Sequence, residues 1–69
     1  MTNLQEYVVI ESHKALSLGK GPYSTPSLIT AGGRLIMAKN ADEAEEVYIA
    51  EHGGSINDLV TFIAWRENV

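Results

Sequence analysis

Residues 34–54, RLIMAKNADEAEEVYIAEHGG, decide the fold because they contain a strand, a helix cap, an amphipathic helix and a glycine stop in that order. Side chains along a strand alternate between its two faces. Leu35 and Met37 would therefore lie on one face of a strand over 34–40, with Ile36 on the other. An unbranched methionine at such a position is typical of a core filler.

The predicted helix spans 41–52 and begins at Asn40. The side chain of Asn40 can accept a bond from the free amides of the first turn, and Glu43 follows at the spacing of a capping box. His52 stands at the negative end of the helix dipole, and Gly53 can take the left-handed conformation that ends a helix. The apolar positions recur in steps of three and four, which predicts an inward stripe of Ala41, Ala44, Val47 and Tyr48 with the stem of Glu51 beside it.

The N-terminal segment 4–13, LQEYVVIESH, predicts a further strand. Tyr7, Val8, Val9 and Ile10 form an unbroken run of β-branched and aromatic residues, which is typical of a strand with both faces covered. Val8 and Ile10 would point to one face, and Tyr7 and Val9 to the other.

Residues 14–33, KALSLGKGPYSTPSLITAGG, form the least regular segment. We expect a long loop over 19–27, a short strand over 28–30 and a turn at the glycine pair that follows. The glycines match neither a phosphate-binding P-loop nor a dinucleotide fingerprint, because the Gly-Lys-Ser/Thr ending and the third glycine are both missing. A loop of this length is typical of a mobile or partner-contacting segment, and Lys20 and Tyr23 lie within it.

Segment 55–69, SINDLVTFIAWRENV, carries two conflicting signals. Ser55 and Asp58 have the spacing of a helix cap, whereas five of the six residues from 60 to 65 are β-branched or aromatic. We therefore predict a strand that includes Trp65.

Together these elements predict one α+β domain over 1–69, with ββαβ order and a three-stranded sheet that has one helix packed on one face. The first two strands can pair antiparallel, while the second strand, the helix and the last strand form a crossover. The second face of the sheet would then be apolar and open. Either the irregular segment 14–30 or another chain must cover it, and we favour another chain.

Composition disfavours several functions. Cysteine is absent and two histidines cannot complete a metal site, so we expect no disulfide, metal or other cofactor. The net charge of −4 disfavours direct nucleic-acid binding, which needs clustered lysine and arginine, but suits a protein partner with a basic surface. No apolar run reaches the roughly 18 residues of a membrane span. Because the first residues also lack the pattern of a secretory signal, a cytoplasmic protein without membrane contact is expected.

No nucleophile, base and orienting residue can be assembled, so no catalytic residue is predicted and the protein is not expected to be an enzyme. The preferred hypothesis is a small acidic protein-binding module that occupies a surface of a larger protein. Phage and mobile-element accessory proteins, including inhibitors of host defence complexes, share this size, charge and layout. The alternative is a self-assembling structural or regulatory subunit, a homodimer packed through the open sheet face. The residues predicted to bind a partner are Lys20, Tyr23, Asp42, Glu43, Glu46, Ile49 and Trp65.

Overall fold

A computed structural model describes residues 3–19 and 23–64, which form a three-stranded antiparallel sheet with helices packed against it. The strands are β1 (Gln5–Glu11), β2 (Arg34–Ala38) and β3 (Leu59–Ile63), and their spatial order is β2-β1-β3. Both outer strands pair antiparallel with β1, so β2 and β3 run parallel to each other with β1 between them. The predicted α+β class is confirmed, and the ββαβ order holds for the sheet and its long helix.

Three helices complete the described chain: α1 (Ser12–Leu16), α2 (Thr25–Thr30) and α3 (Ala41–His52). A 3₁₀ turn, Ile56–Asp58, directly precedes β3.

The long helix α3 covers the first face of the sheet, as predicted. The side chain of Asn40 accepts from the backbone N–H of Glu43 at 2.8 Å, and the carboxylate of Glu43 accepts from the backbone N–H of Lys39 at 2.8 Å. The cap at Asn40 forms as predicted, whereas the carboxylate of Glu43 reaches one residue further back than in a capping box, to Lys39 and not to Asn40. The first cluster of buried side chains comprises Tyr7, Val9, Ile36, Ala38, Ala44 and Tyr48.

The second face of the sheet is largely closed by α1 and α2. Val8 and Ile10 of β1 are fully buried there, together with Ala15 of α1 and Leu28 of α2. The prediction that most of this face stays open until another chain covers it is therefore wrong. The helices α1 and α2 of the same chain supply the cover, which was the other predicted alternative.

Residues 28–30, predicted as a short strand, belong to α2, which also includes the end of the predicted loop over 19–27. The helix α1 overlaps the start of the irregular segment 14–33. The helix α2 begins at Ser24, whose side chain accepts from the backbone N–H of Ser27, and Pro26 lies in its first turn. Serine at the cap and proline in the first turn are standard helix-start signals. The proline marks the beginning of a helix in this segment, where the prediction had placed a loop.

The C-terminal segment satisfies both of its conflicting signals. Ser55 accepts from the backbone N–H of Asn57 at 3.2 Å and starts the 3₁₀ turn, so the capping spacing accounts for a single turn. The predicted strand then follows as β3. Trp65, which was assigned to this strand, lies outside the described residues.

Candidate interaction surfaces

The acidic charge of the protein is concentrated on α3. Five of the nine acidic residues of the chain lie on this helix, which contains no lysine or arginine. Ala44 and Tyr48 face the sheet and are buried. Asp42, Glu46 and Ala50, spaced by steps of four, are exposed on the opposite side, which we call the acidic stripe.

Three of the five carboxylates on α3 have a partner within the described part of the chain. Glu43 caps the helix, and Glu45 accepts a hydrogen bond from the hydroxyl of Thr61 at 2.6 Å. Glu51 lies 3.8 Å from the imidazole of His52. Asp42 and Glu46 have neither a hydrogen bond from another side chain nor an ion pair within the described part of the chain.

A second surface lies at the outer edge of β2. Leu35 pairs with Val8 and Met37 with Glu6, so both side chains project from the second face of the sheet. The helices α1 and α2 do not extend over them, and Leu35 and Met37 remain 51% and 52% exposed. Leu4, beside β1 on the same face, is 52% exposed. We call these three residues the β2 patch. Because Met37 is half exposed, the prediction that it fills the core is wrong.

The described part of the chain also forms two concave regions. An apolar groove of about 330 Å³ runs between α1 and β3 and is lined by Ser12, Ala15, Leu16, Tyr23, Val60 and Phe62. A more polar cavity of about 250 Å³ lies beyond the C-terminal end of α3, where the Tyr48 and His52 rings are 4.7 Å apart and Glu11 and Asp58 contribute carboxylates.

The predicted partner-binding residues are divided between two faces of the sheet. Tyr23 packs edge-on against Phe62 with ring centroids 5.5 Å apart, and its hydroxyl donates to the carbonyl of Gly19, so this ring helps to close the second face. Ile49 is half-buried against the first cluster. Asp42 and Glu46 are exposed together on α3, beside the capping residue Glu43. Lys20 and Trp65 lie outside the described residues.

The β2 patch is the feature that sequence reasoning missed. The alternation of Leu35 with Ile36 and of Met37 with Ala38 was recognised and the second face was expected to be apolar and open, but the exposure was not assigned to one edge strand. The signal that would have identified it is the position of the strand in the sheet, since a strand at an edge has only one neighbour.

Neither a metal centre nor a membrane span emerges from the described ranges. Among residues 3–19 and 23–64, no three histidine, aspartate or glutamate side chains come together in a way that could hold an ion. None of the helices in those ranges combines the length and the apolar character that crossing a bilayer requires.

No family model, curated protein or solved structure matches the chain. Functional inference therefore depends on the surfaces described above.

Proposed function

We propose that the protein is a non-enzymatic binding module that uses the acidic stripe of α3 to occupy a basic surface of a larger protein. The observation that carries this proposal is the segregation of charge. Outside α3 the chain has four acidic residues and five basic ones, so the whole excess of negative charge comes from one helix.

Helix stability explains only part of the acidic stripe. Acids in the first turn are favoured by the helix dipole, which accounts for Asp42 and Glu43. Glu46 lies beyond that turn, one helical step of four from Asp42. Like charges at this spacing destabilise a helix by roughly 0.2–0.5 kcal/mol. Glu46 thus lowers the stability of the helix slightly without serving the fold. Its presence is consistent with selection for contact with a cationic partner.

Occupying a basic surface would exclude other acidic ligands from it, including nucleic acid. The role that fits this mode is that of an inhibitor or competitor, such as the small accessory proteins that phages and mobile elements direct against host complexes. Because the stripe is solvent-exposed, its charges would mainly raise the association rate and would be screened by salt.

The experiment compares two charge reversals of equal size. Glu46→Lys alters the acidic stripe, whereas Asp58→Lys alters an exposed acid on the 3₁₀ turn, and both raise the net charge by the same amount. The partner is first captured from host lysate and identified as a single stoichiometric component. Its affinity for each variant is then measured by calorimetry at several salt concentrations.

Glu46→Lys is expected to weaken binding about fivefold or more, corresponding to about 1 kcal/mol. Asp58→Lys should have a smaller effect, and the wild-type affinity should fall with salt. Equal effects of the two variants would show that only net charge matters. An affinity independent of salt would exclude the acidic stripe as the contact.

A further inference from the structure

The hydrogen-bonding groups of β1 have a defined orientation. The backbone N–H of Ala64 donates to the carbonyl of Glu6 at 3.0 Å, so the backbone groups of Glu6 face β3. Successive residues of a strand direct these groups to opposite sides. Those of Tyr7 therefore face β2, and those of its partner Ile36 face back toward β1.

The same alternation leaves Leu35 and Met37 with backbone N–H and C=O groups that point away from the sheet. Their side chains are also half exposed on the second face. Edge strands in stable monomers are commonly protected by charged side chains, proline or a covering element. The three residues 35–37, LIM, have neither charge nor proline.

Both ends of this open edge are closed by contacts within the chain. The backbone N–H of Gly33 donates to the carbonyl of Leu28 at 2.8 Å, and that of Lys39 donates to the carboxylate of Glu43 at 2.8 Å. Within the described part of the chain, the N–H groups that stay open at this edge of β2 are therefore those of Leu35 and Met37. A strand that pairs here must match a short site of fixed register.

A second copy of β2 matches this site. If two β2 strands run antiparallel with Ile36 opposite Ile36 of the second copy, Leu35 of each lies opposite Met37 of the other. Each such pair exchanges two backbone hydrogen bonds, so the symmetric arrangement satisfies the open N–H and C=O groups of Leu35 and Met37. It also places apolar side chains directly across from each other on the second face, a stabilising cross-strand arrangement.

Charge complementarity favours the same register. Arg34 is exposed and forms no ion pair with any residue of the described ranges. In the paired arrangement it lies diagonally across from Asn40 of the second copy, beside the first turn of that copy's α3. Asp42 and Glu43 occupy this turn. Each Arg34 would thus meet an acidic helix start, and no two like charges would lie directly opposite.

The other edge of the sheet is less suitable for self-pairing. Thr61 of β3 donates its hydroxyl to Glu45, which places an α3 carboxylate over that strand. A symmetric pair centred on Thr61 would bring two such carboxylates together, and like charges across a strand pair are destabilising.

We propose that the β2 edges of two copies pair in this register to form a symmetric dimer with a continuous six-stranded sheet. The contact is short, so it falls at the small end of protein interfaces and the dimer should be weak and concentration-dependent. It replaces the predicted face-to-face dimer, whose open sheet face is mostly filled by α1 and α2.

Sedimentation velocity from about 10 µM to about 1 mM, the range in which small interfaces associate, tests the proposal. The wild type should shift from monomer to dimer, and Met37→Lys should stay monomeric because an edge lysine blocks strand pairing. The control Leu16→Lys alters a residue that is 75% exposed away from β2, and it should dimerise like the wild type. A wild type that stays monomeric overturns the proposal, as does equal loss of association in both variants.

A charge swap tests the register. Arg34→Glu and Asp42→Arg should each weaken self-association about tenfold, because each homodimer then contains two repulsive contacts between exposed charges. Mixing the two variants should restore association, since both contacts in the mixed dimer are attractive. Failure of the mixture to associate more tightly than either variant alone would exclude this register.

Hydrogen exchange of the wild type provides a test without mutation. The amides of Leu35 and Met37 should become protected as concentration rises, whereas those of Thr61 and Ile63, at the opposite edge, should not. Protection of the β3 amides instead would contradict the proposal.

The affinity of monomeric Met37→Lys for the basic partner is measured separately. This measurement distinguishes an error in the proposed dimer from an error in the proposed partner contact at the acidic stripe.

Discussion

Gly33→Ala is expected to destabilise the fold by overfilling the junction between α2 and β2. Gly33 does not have a positive φ, so alanine meets no conformational penalty there. A Cβ atom at this position would lie 2.7 Å from Cγ1 of Val8 and 2.9 Å from the backbone oxygen of Leu28. Ordinary contacts between carbon atoms begin at about 3.5 Å, so the added methyl group overlaps both neighbours.

Neither neighbour can move freely. Val8 is fully buried in the second cluster, and the oxygen of Leu28 accepts the backbone N–H of Gly33 at 2.8 Å. Overfilling a packed core typically costs 1–3 kcal/mol, and weakening this hydrogen bond adds about 1 kcal/mol. We expect a loss of about 2–4 kcal/mol. For a domain of this size, that lowers the melting temperature by roughly 10 °C or more.

Thermal and urea unfolding followed by circular dichroism measure this loss. Gly53→Ala is the matched control, because Gly53 has a φ of 80° and nothing within 4 Å of the added Cβ. Because its ψ of −177° places Gly53 in an extended positive-φ region that essentially only glycine occupies, the control should lose about 1–3 kcal/mol through backbone strain alone, without steric overlap. A Gly33→Ala protein within about 0.5 kcal/mol of the wild type, the scatter of ordinary surface substitutions, would refute the close approach of this junction to Val8.

Four further substitutions at three positions test individual contacts by urea unfolding. Asn40→Ala should cost about 1 kcal/mol, because the backbone N–H of Glu43 loses its cap. Thr61→Val should cost about 1 kcal/mol, because it removes the hydroxyl bond to Glu45 while keeping a β-branched side chain in the strand. Tyr23→Ala should cost about 2 kcal/mol through lost packing on Phe62. Tyr23→Phe should cost less than about 1 kcal/mol. Tyr23→Phe should also leave partner affinity unchanged if α3 carries the contact.

Segment 34–54 was predictable because its signals act over short distances. The bond between Asn40 and Glu43 joins residues three apart, and Gly53 ends the helix through its own backbone conformation. The alternation of Val8 with Val9 likewise divides β1 between the two clusters. None of these features depends on where the rest of the chain lies.

The cover of the second face could not be predicted in the same way. The helices α1 and α2 have only five and six residues, too few to show a helical period in the sequence. Helices this short are not stable alone and depend on tertiary packing. That packing comes from Ala15 and Leu28 against the sheet. Reading segment 14–33 as a loop left the face open and favoured a partner to fill it.

The candidate surfaces were predicted in part. The exposure of Asp42 and Glu46 follows from helix periodicity, and the capping role of Glu43 was expected from its spacing. Tyr23 and Ile49 instead contribute to the two clusters. The open edge at β2 depends on β1 being the central strand, and chain order alone does not specify which strand is central.

The two proposed contacts should respond differently to salt. Pairing of two β2 edges continues one sheet, so both α3 helices lie on the same face and their acidic stripes form a single surface. Binding of that surface to a basic partner depends on exposed charges and should weaken steeply between low and physiological salt, where the Debye length falls to about 8 Å.

Dimerisation depends mainly on backbone hydrogen bonds and apolar pairs. Salt would weaken the attraction between Arg34 and Asp42 of the second copy, which disfavours the dimer. It would also reduce the repulsion between two copies of net charge −4 each, which favours the dimer, so the two effects oppose one another. Sedimentation over a salt series should therefore show a nearly constant dimer affinity while partner affinity falls. A dimer that dissociates as steeply as the partner would mean that charge, and not the β2 edge, holds the two copies together.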